Sequence, residues 1–157
     1  MKLKLNKEYA RRHLFVTLLM AGLGAWFAYD GLVRYPSLPA ADLYRSIERS
    51  DPPAGMDLDA FKRQKTQTQY GFSVIALLTA LVVGLRLLRA AKLDFAFDDA
   101  GFAYAGRKYA RDDIDRIDRS AWGSKSILVL RMKDGARIVL DAWHHVGVKD
   151  FAASLAP

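Results

Sequence analysis

The chain has 157 residues, with 24 Lys and Arg against 17 Asp and Glu, three His and no Cys. That length allows one ordinary domain, or a membrane hairpin with a small domain behind it. The lack of Cys excludes disulfides, thiol catalysis and thiolate metal sites. The net charge of +7 would suit nucleic acid, but its distribution does not. Residues 1–13 carry +4, Arg86, Arg89 and Lys92 add +3, and residues 93–157 hold ten charges of each sign. Recognition of nucleic acid needs a basic face on the folded domain, so no nucleic-acid partner is expected. Cations flanking apolar runs instead serve membrane topology and contact with anionic lipid.

Met1 to His13 reads as a basic, polar tail. The apolar run behind it, Leu14 to Val33, is longer than a signal-peptide core, and no small-residue cleavage pattern follows closely. An uncleaved anchor is expected. Trp26, Tyr29 and Tyr35 sit where aromatic side chains meet headgroups, and Asp30 in the last turn is expected as an interfacial carboxylate in water. Residues 34–69 read as a polar loop. Within it Tyr35 to Pro39 is expected to be extended, its prolines stopping the first helix. Ala41 to Arg49 forms a short amphipathic helix with Leu43, Tyr44 and Ile47 as its apolar positions, and Asp51 to Gly55 breaks it. Asp57 or Asp59 then caps a helix that runs from about Leu58 through a second span without interruption.

Thr66 to Leu85 contains no charge, about the 20 residues a helix needs to cross a hydrocarbon core. The two spans are taken as about 14–33 and 70–89. Small residues recur at four-residue spacing, Thr17, Ala21 and Ala25 in the first span and Ala76, Ala80 and Gly84 in the second. Such stripes let helix backbones approach closely. They predict the facing surfaces of an antiparallel hairpin, with homodimer contacts through the same stripes as the rival reading. Five Lys or Arg in the tail and three after the second span outweigh six spread along the loop. The positive-inside rule therefore puts both termini in the cytoplasm.

From Leu93 the apolar period becomes two. Leu93, Phe95 and Phe97 predict a half-buried strand, Asp98 to Gly101 a turn, and Phe102 and Tyr104 a second strand. Gly106 to Lys108 turns again, Tyr109 to Arg119 gives one or two short strands with Ile114 and Ile117 inward, and Ala121 to Ser124 is a loop. Lys133-Asp134-Gly135 between the apolar runs Ser126–Met132 and Ala136–Leu140 is a strong hairpin pattern. Val148 to Leu155 suits a closing helix, with Phe151 and Leu155 on one face.

The matching residues Phe95-x-Phe-Asp-Asp-x-Gly101, Tyr109-Ala-Arg-Asp-Asp-Ile114-x-x-Ile117, Ile127-Leu-Val-Leu130, Asp134-Gly135, Ile138-Val-Leu-Asp141 and Phe151 resemble the bacterial membrane-anchored pleckstrin-homology-like domains of the YcxB-like group. The resemblance covers residues 93–155 and, loosely, the hairpin before them. It implies a fold and a membrane location, and no common activity. The long connection between the spans departs from that group.

Few residues suggest chemistry. His144 and His145 are neighbours in an extended segment near Asp141 and Asp150, so their rings point apart. They are expected as a loop pair with one ring packed and one solvated, and no metal or other cofactor is expected. Asp112, Asp113, Asp115 and Asp118, interleaved with Arg111, Arg116 and Arg119, read as a solvated face of ion pairs. No phosphate-cradling glycine loop or nucleophile elbow is present. Trp122 beside Lys125, and Trp143, either meet a headgroup layer or a partner's pocket, or pack on the sheet.

These readings predict an α+β membrane protein. Residues 1–92 form a transmembrane hairpin, and residues 93–157 a cytoplasmic antiparallel β domain of pleckstrin-homology-like type with a C-terminal helix. The expected role is non-enzymatic: an inner-membrane protein whose domain docks a protein partner or contacts lipid headgroups. The alternative is an accessory structural subunit of a larger membrane complex.

Overall fold

The computed structural model describes residues 1–155. It divides into two compact units. One joins residues 1–13 with the chain from Arg86 onward; the other is Leu14–Leu85. The class is α+β, with two long apolar helices followed by antiparallel sheets and a last helix. The helices, Lys7–Ser37 and Leu58–Ala91, are long and apolar enough to cross a membrane.

The helical unit is built on α1 (Lys7–Tyr29) and α4 (Leu58–Ala91). Beyond Tyr29 the first helix widens into a π turn at Asp30–Arg34, where the Tyr35 N–H reaches back to the Asp30 carbonyl, and continues as α2 (Tyr35–Ser37). This corrects the expected extended segment at Tyr35. Pro36 lacks an N–H and its ring would crowd a carbonyl one turn earlier, and the wider turn relaxes the register just before it. The break falls at Leu38, which is extended because Pro39 disfavours helix in the residue before it.

The connection between the spans is folded rather than an open polar loop. α3 (Ala40–Glu48) buries Leu43 completely. The carboxylate of Asp57 accepts the Ala60 N–H at 2.8 Å and so caps α4. Lys62 donates to the carbonyls of Pro36 and Leu38 at 2.9 and 2.6 Å, satisfying groups that the end of α2 leaves open. Tyr44 and Phe61 pack ring to ring at 5.0 Å.

α1 and α4 run antiparallel. A Cβ on Gly84 would lie 3.4 Å from Thr17, one on Gly24 would lie 2.7 Å from Leu77, and one on Gly31 would lie 3.1 Å from the Tyr70 ring. The Ser73 hydroxyl donates to the Gly24 carbonyl at 3.0 Å. Ala76 and Ala80 are buried, as a packing stripe requires, and Ala21 is half-buried. Ala25, expected in the stripe, is exposed. Gly24 takes its place, because the first helix presents Thr17, Gly24 and Gly31 at seven-residue spacing, the repeat of helices crossing at a shallow angle.

The β unit holds two antiparallel meanders. The first is β2 (Phe95–Phe97), β3 (Gly101–Tyr104) and β4 (Arg107–Ala110); the second is β5 (Ile114–Asp118), β6 (Ile127–Met132) and β7 (Arg137–Asp141). α5 (Trp122–Lys125) is a single helical turn where a loop was expected. The tail is part of this fold. β1 (Lys4–Leu5) pairs with β8 (His145–Val146), Lys2 bridges to Ala96, and the Leu3 N–H donates to the Phe95 carbonyl at 3.0 Å. The β3–β4 connection is the two-residue turn Ala105-Gly106, one step earlier than expected, since Tyr104 pairs with Arg107.

The core gathers Leu3, Phe95, Phe102, Leu128, Leu130, Ile138, Leu140 and Val148. α6 (Val148–Ser154) closes it. Phe151 on this helix meets the rings of Phe95, Phe97 and Phe102 at 5.0, 5.0 and 5.6 Å. The Asp/Arg run around β5 is more than a solvated face. Arg111 and Arg119 donate to the carbonyls of Ser154 and Ala152 at 2.8 and 3.1 Å, capping the end of α6. Asp112, Asp113 and Asp115 are exposed. The hydroxyl and N–H of Ser120 hold the Asp118 carboxyl below its ordinary range.

Candidate functional site

A pocket of about 390 Å³ in the β unit collects all three histidines of the chain, with Tyr9, Arg86, Arg89, Leu93 and Asp141 among its other walls. Three local events bring them together. The β1–β8 pair sets Leu5 opposite His145, so the first turns of α1 carry Tyr9 and His13 over the sheet edge. Arg86, Arg89 and Ala90 come from the last turns of α4. Asp141 ends β7, and its carboxylate accepts the N–H groups of Trp143 and His144 at 2.7 and 3.4 Å. That turn presents His144 and His145 in succession.

His145 is buried, and its Nε2 lies 2.8 Å from the Ala90 carbonyl. A carbonyl only accepts, so Nε2 carries the proton and satisfies a group at the C-terminal end of α4. The other ring nitrogen, Nδ1, is buried without a hydrogen-bond partner. Such an atom costs on the order of 1–3 kcal/mol unless something reaches it. His13 Nδ1 donates to the Tyr9 carbonyl at 3.0 Å. The buried Tyr9 ring packs against those of His13 and His144 with tilted planes, centroids at 3.9 and 4.3 Å.

Of the pair expected as one packed and one solvated ring, His145 is the packed one, and His144 is more covered than a solvated ring would be. It is half-buried, with Nε2 3.5 Å from the Asp141 carboxylate. Burial pushes its pKa below the ordinary value, Asp141 acts in the opposite sense, and His145, His13 and Arg86 add to the depression. Burial and cations prevail over the single carboxylate, so the imidazole is neutral near pH 7. Among the described residues no three His, Asp or Glu side chains are arranged to hold a metal ion.

The residues singled out for interaction separate. Trp122 packs against the core, and Lys125 on the same turn is exposed. Trp143 is 49% exposed beneath the Arg12 guanidinium, 5.8 Å from its ring centre. Val139 on β7 and Val146 on β8 are exposed apolar side chains as well. In the helical unit, Asp30 is also unlike its expectation. It is buried, with the Trp26 indole donating at 3.0 Å and Arg34 at 3.4 Å.

Little in the local pattern points to the histidine pocket. Tyr9 and His13 stand one helical turn apart, a spacing that stacks side chains on one face, but nothing local ties them to residues more than 130 positions away. Compared with known proteins, the chain matches no family model, no curated protein and no solved structure.

Proposed function

We propose that the chain is a non-enzymatic protein of the bacterial inner membrane. Its two long helices cross the bilayer as a hairpin, both termini face the cytoplasm, and a pleckstrin-homology-like β unit meets a protein partner or lipid headgroups there. The observation that carries this reading is the tail. Residues before the first apolar helix and residues after the second fold as one unit, with β1 paired to β8. Strands cannot pair across a bilayer, so both ends lie on one side, and the helices cross as a pair or not at all. Crossing is the better account, because only 17% of each apolar window is buried within the protein, whereas the core helix of a water-soluble domain hides its apolar face.

Cation density supports the cytoplasmic side, as the positive-inside rule counts Lys and Arg near the span ends. The two antiparallel meanders closed by α6 support the pleckstrin-homology-like reading. The exposed side chains of Val139, Trp143 and Val146 are apolar groups that a partner or headgroup layer could cover.

Reporter fusions in the Asp51–Gly55 segment and after the C-terminus test the placement. The expected result is an external loop and a cytoplasmic C-terminus, with the protein resisting alkaline extraction. A cytoplasmic loop, or release by alkali, overturns the reading.

A further inference from the structure

We propose that the histidine pocket binds a phosphate group, clamped by Arg86 and Arg89 with the imidazoles of His144 and His145 on its inner side. Three observations converge on this. Two guanidiniums, one turn apart on α4, line a concave site with only one carboxylate, Asp141. Arginine is suited to phosphate because its planar fork matches two phosphate oxygens. The Asp141 carboxylate is itself engaged by two backbone N–H groups and His144, which softens its repulsion of an anion. His145 Nδ1, in a side chain that is 5% exposed, has no partner. With Nε2 fixed as donor to Ala90, Nδ1 presents an unused lone pair. A hydroxyl of the bound group, on a protonated phosphate or on a glycerol headgroup, would donate to it.

The position within the chain narrows the source. His13 directly precedes the apolar run that begins at Leu14, and Arg86 directly follows the one that ends at Leu85. On the membrane reading proposed above, on which this part rests, those residues stand at headgroup level, where phosphate is the abundant anion. A soluble phosphate presents the same chemistry, and the experiment separates the two.

The anion also favours the charged form of His144. The groups facing His144 are Tyr9 and His13 from α1, Arg86 from α4, and Asp141 and His145 from the β7–β8 corner. A bound phosphate opposes the burial and the cations that keep His144 neutral, so its pKa rises, and by linkage binding tightens as pH falls.

The test uses the full chain in a nonionic detergent, with the three histidines labelled for NMR. Each ring is titrated with pH, alone, with inorganic phosphate, and with short-chain phosphatidylglycerol. The expected result is an upward shift of the His144 titration with phosphatidylglycerol. Affinity should weaken roughly 10- to 100-fold in the Arg86→Gln/Arg89→Gln variant and stay unchanged in Arg116→Gln, on the exposed part of β5. A comparable shift with inorganic phosphate identifies a soluble source and supports the site while removing the lipid part. No shift with either probe, or a shift that survives loss of both arginines, overturns the proposal. Because detergent replaces the bilayer, a failed reporter topology leaves this result standing, and the two failures are distinguishable.

Discussion

In the helical unit Leu18, Ile75 and Leu78 are each more than half exposed, while in the β unit Leu128, Leu130, Ile138 and Leu140 have no accessible surface. The two units draw on equally apolar sequence and use it differently. The β unit converges its side chains on one core, so its stability rests on volume and aromatic packing. The helical unit turns most of its apolar surface outward and is held by a narrow seam, where Gly24, Gly84 and Ser73 let backbones approach. Loss of volume should therefore damage the first, and gain of volume the second.

The largest effect is expected from Phe151→Ala. Its ring meets three other aromatic rings at 5.0 to 5.6 Å, and removing a buried Phe costs about 3–5 kcal/mol. Denaturant unfolding followed by near-UV circular dichroism should show the β unit lost at lower denaturant, while far-UV helicity from the spans persists. Simultaneous loss of both signals would show that the two units are not independent.

Gly24→Leu probes the other side of the comparison. A Cβ there would already lie 2.7 Å from Leu77, and overpacking of this kind costs about 1–3 kcal/mol. The control is Gly22→Leu, where nothing lies within 4 Å of an added Cβ. Thermal unfolding of both variants in one detergent should separate them. Equal midpoints would mean that the seam contributes nothing.

Ala105→Asn should act in the opposite direction. Ala105 sits at φ 49° and Gly106 at φ 81°, both in the left-handed region. Two-residue hairpins with positive φ at both positions favour Asn-Gly, and Ala pays for its Cβ there. A gain of about 1 kcal/mol in β-unit stability is expected by denaturant titration, and no gain would assign the strain elsewhere.

How much of this could be read in advance depends on how local the cause is. The apolar runs, the Asp134-Gly135 hairpin and the closing helix around Phe151 were legible because each is set by residues within a few positions. Pro36 misled because the rule that proline ends a helix omits the π turn that accommodates it. Ala25 misled because four-residue spacing drifts around the helix, and the seven-residue repeat of Thr17, Gly24 and Gly31 is the one that stays on the seam. The histidine pocket was least legible. It hangs on a two-residue strand, Lys4–Leu5, too short to show a period, and on a pairing that closes a loop of more than 130 residues.

The smallest expected effect concerns pH and confines itself to the β unit. Burial holds His144 below its ordinary pKa, so near pH 6 the folded protein binds fewer protons at this ring than the unfolded chain does. Stability therefore rises with pH through that interval. The contribution is complete above the unfolded value of about 6.5 and is lost as pH falls toward the folded one. Because the ring is only half-buried, solvent screens the effect and the slope should be shallow. Urea unfolding from pH 5 to pH 8 should show that slope in the wild type and a flatter one in His144→Gln, with the helical unit indifferent to both. An equal slope in the variant would assign the titration to another group, and a slope of opposite sign would mean that Asp141 outweighs burial at this ring.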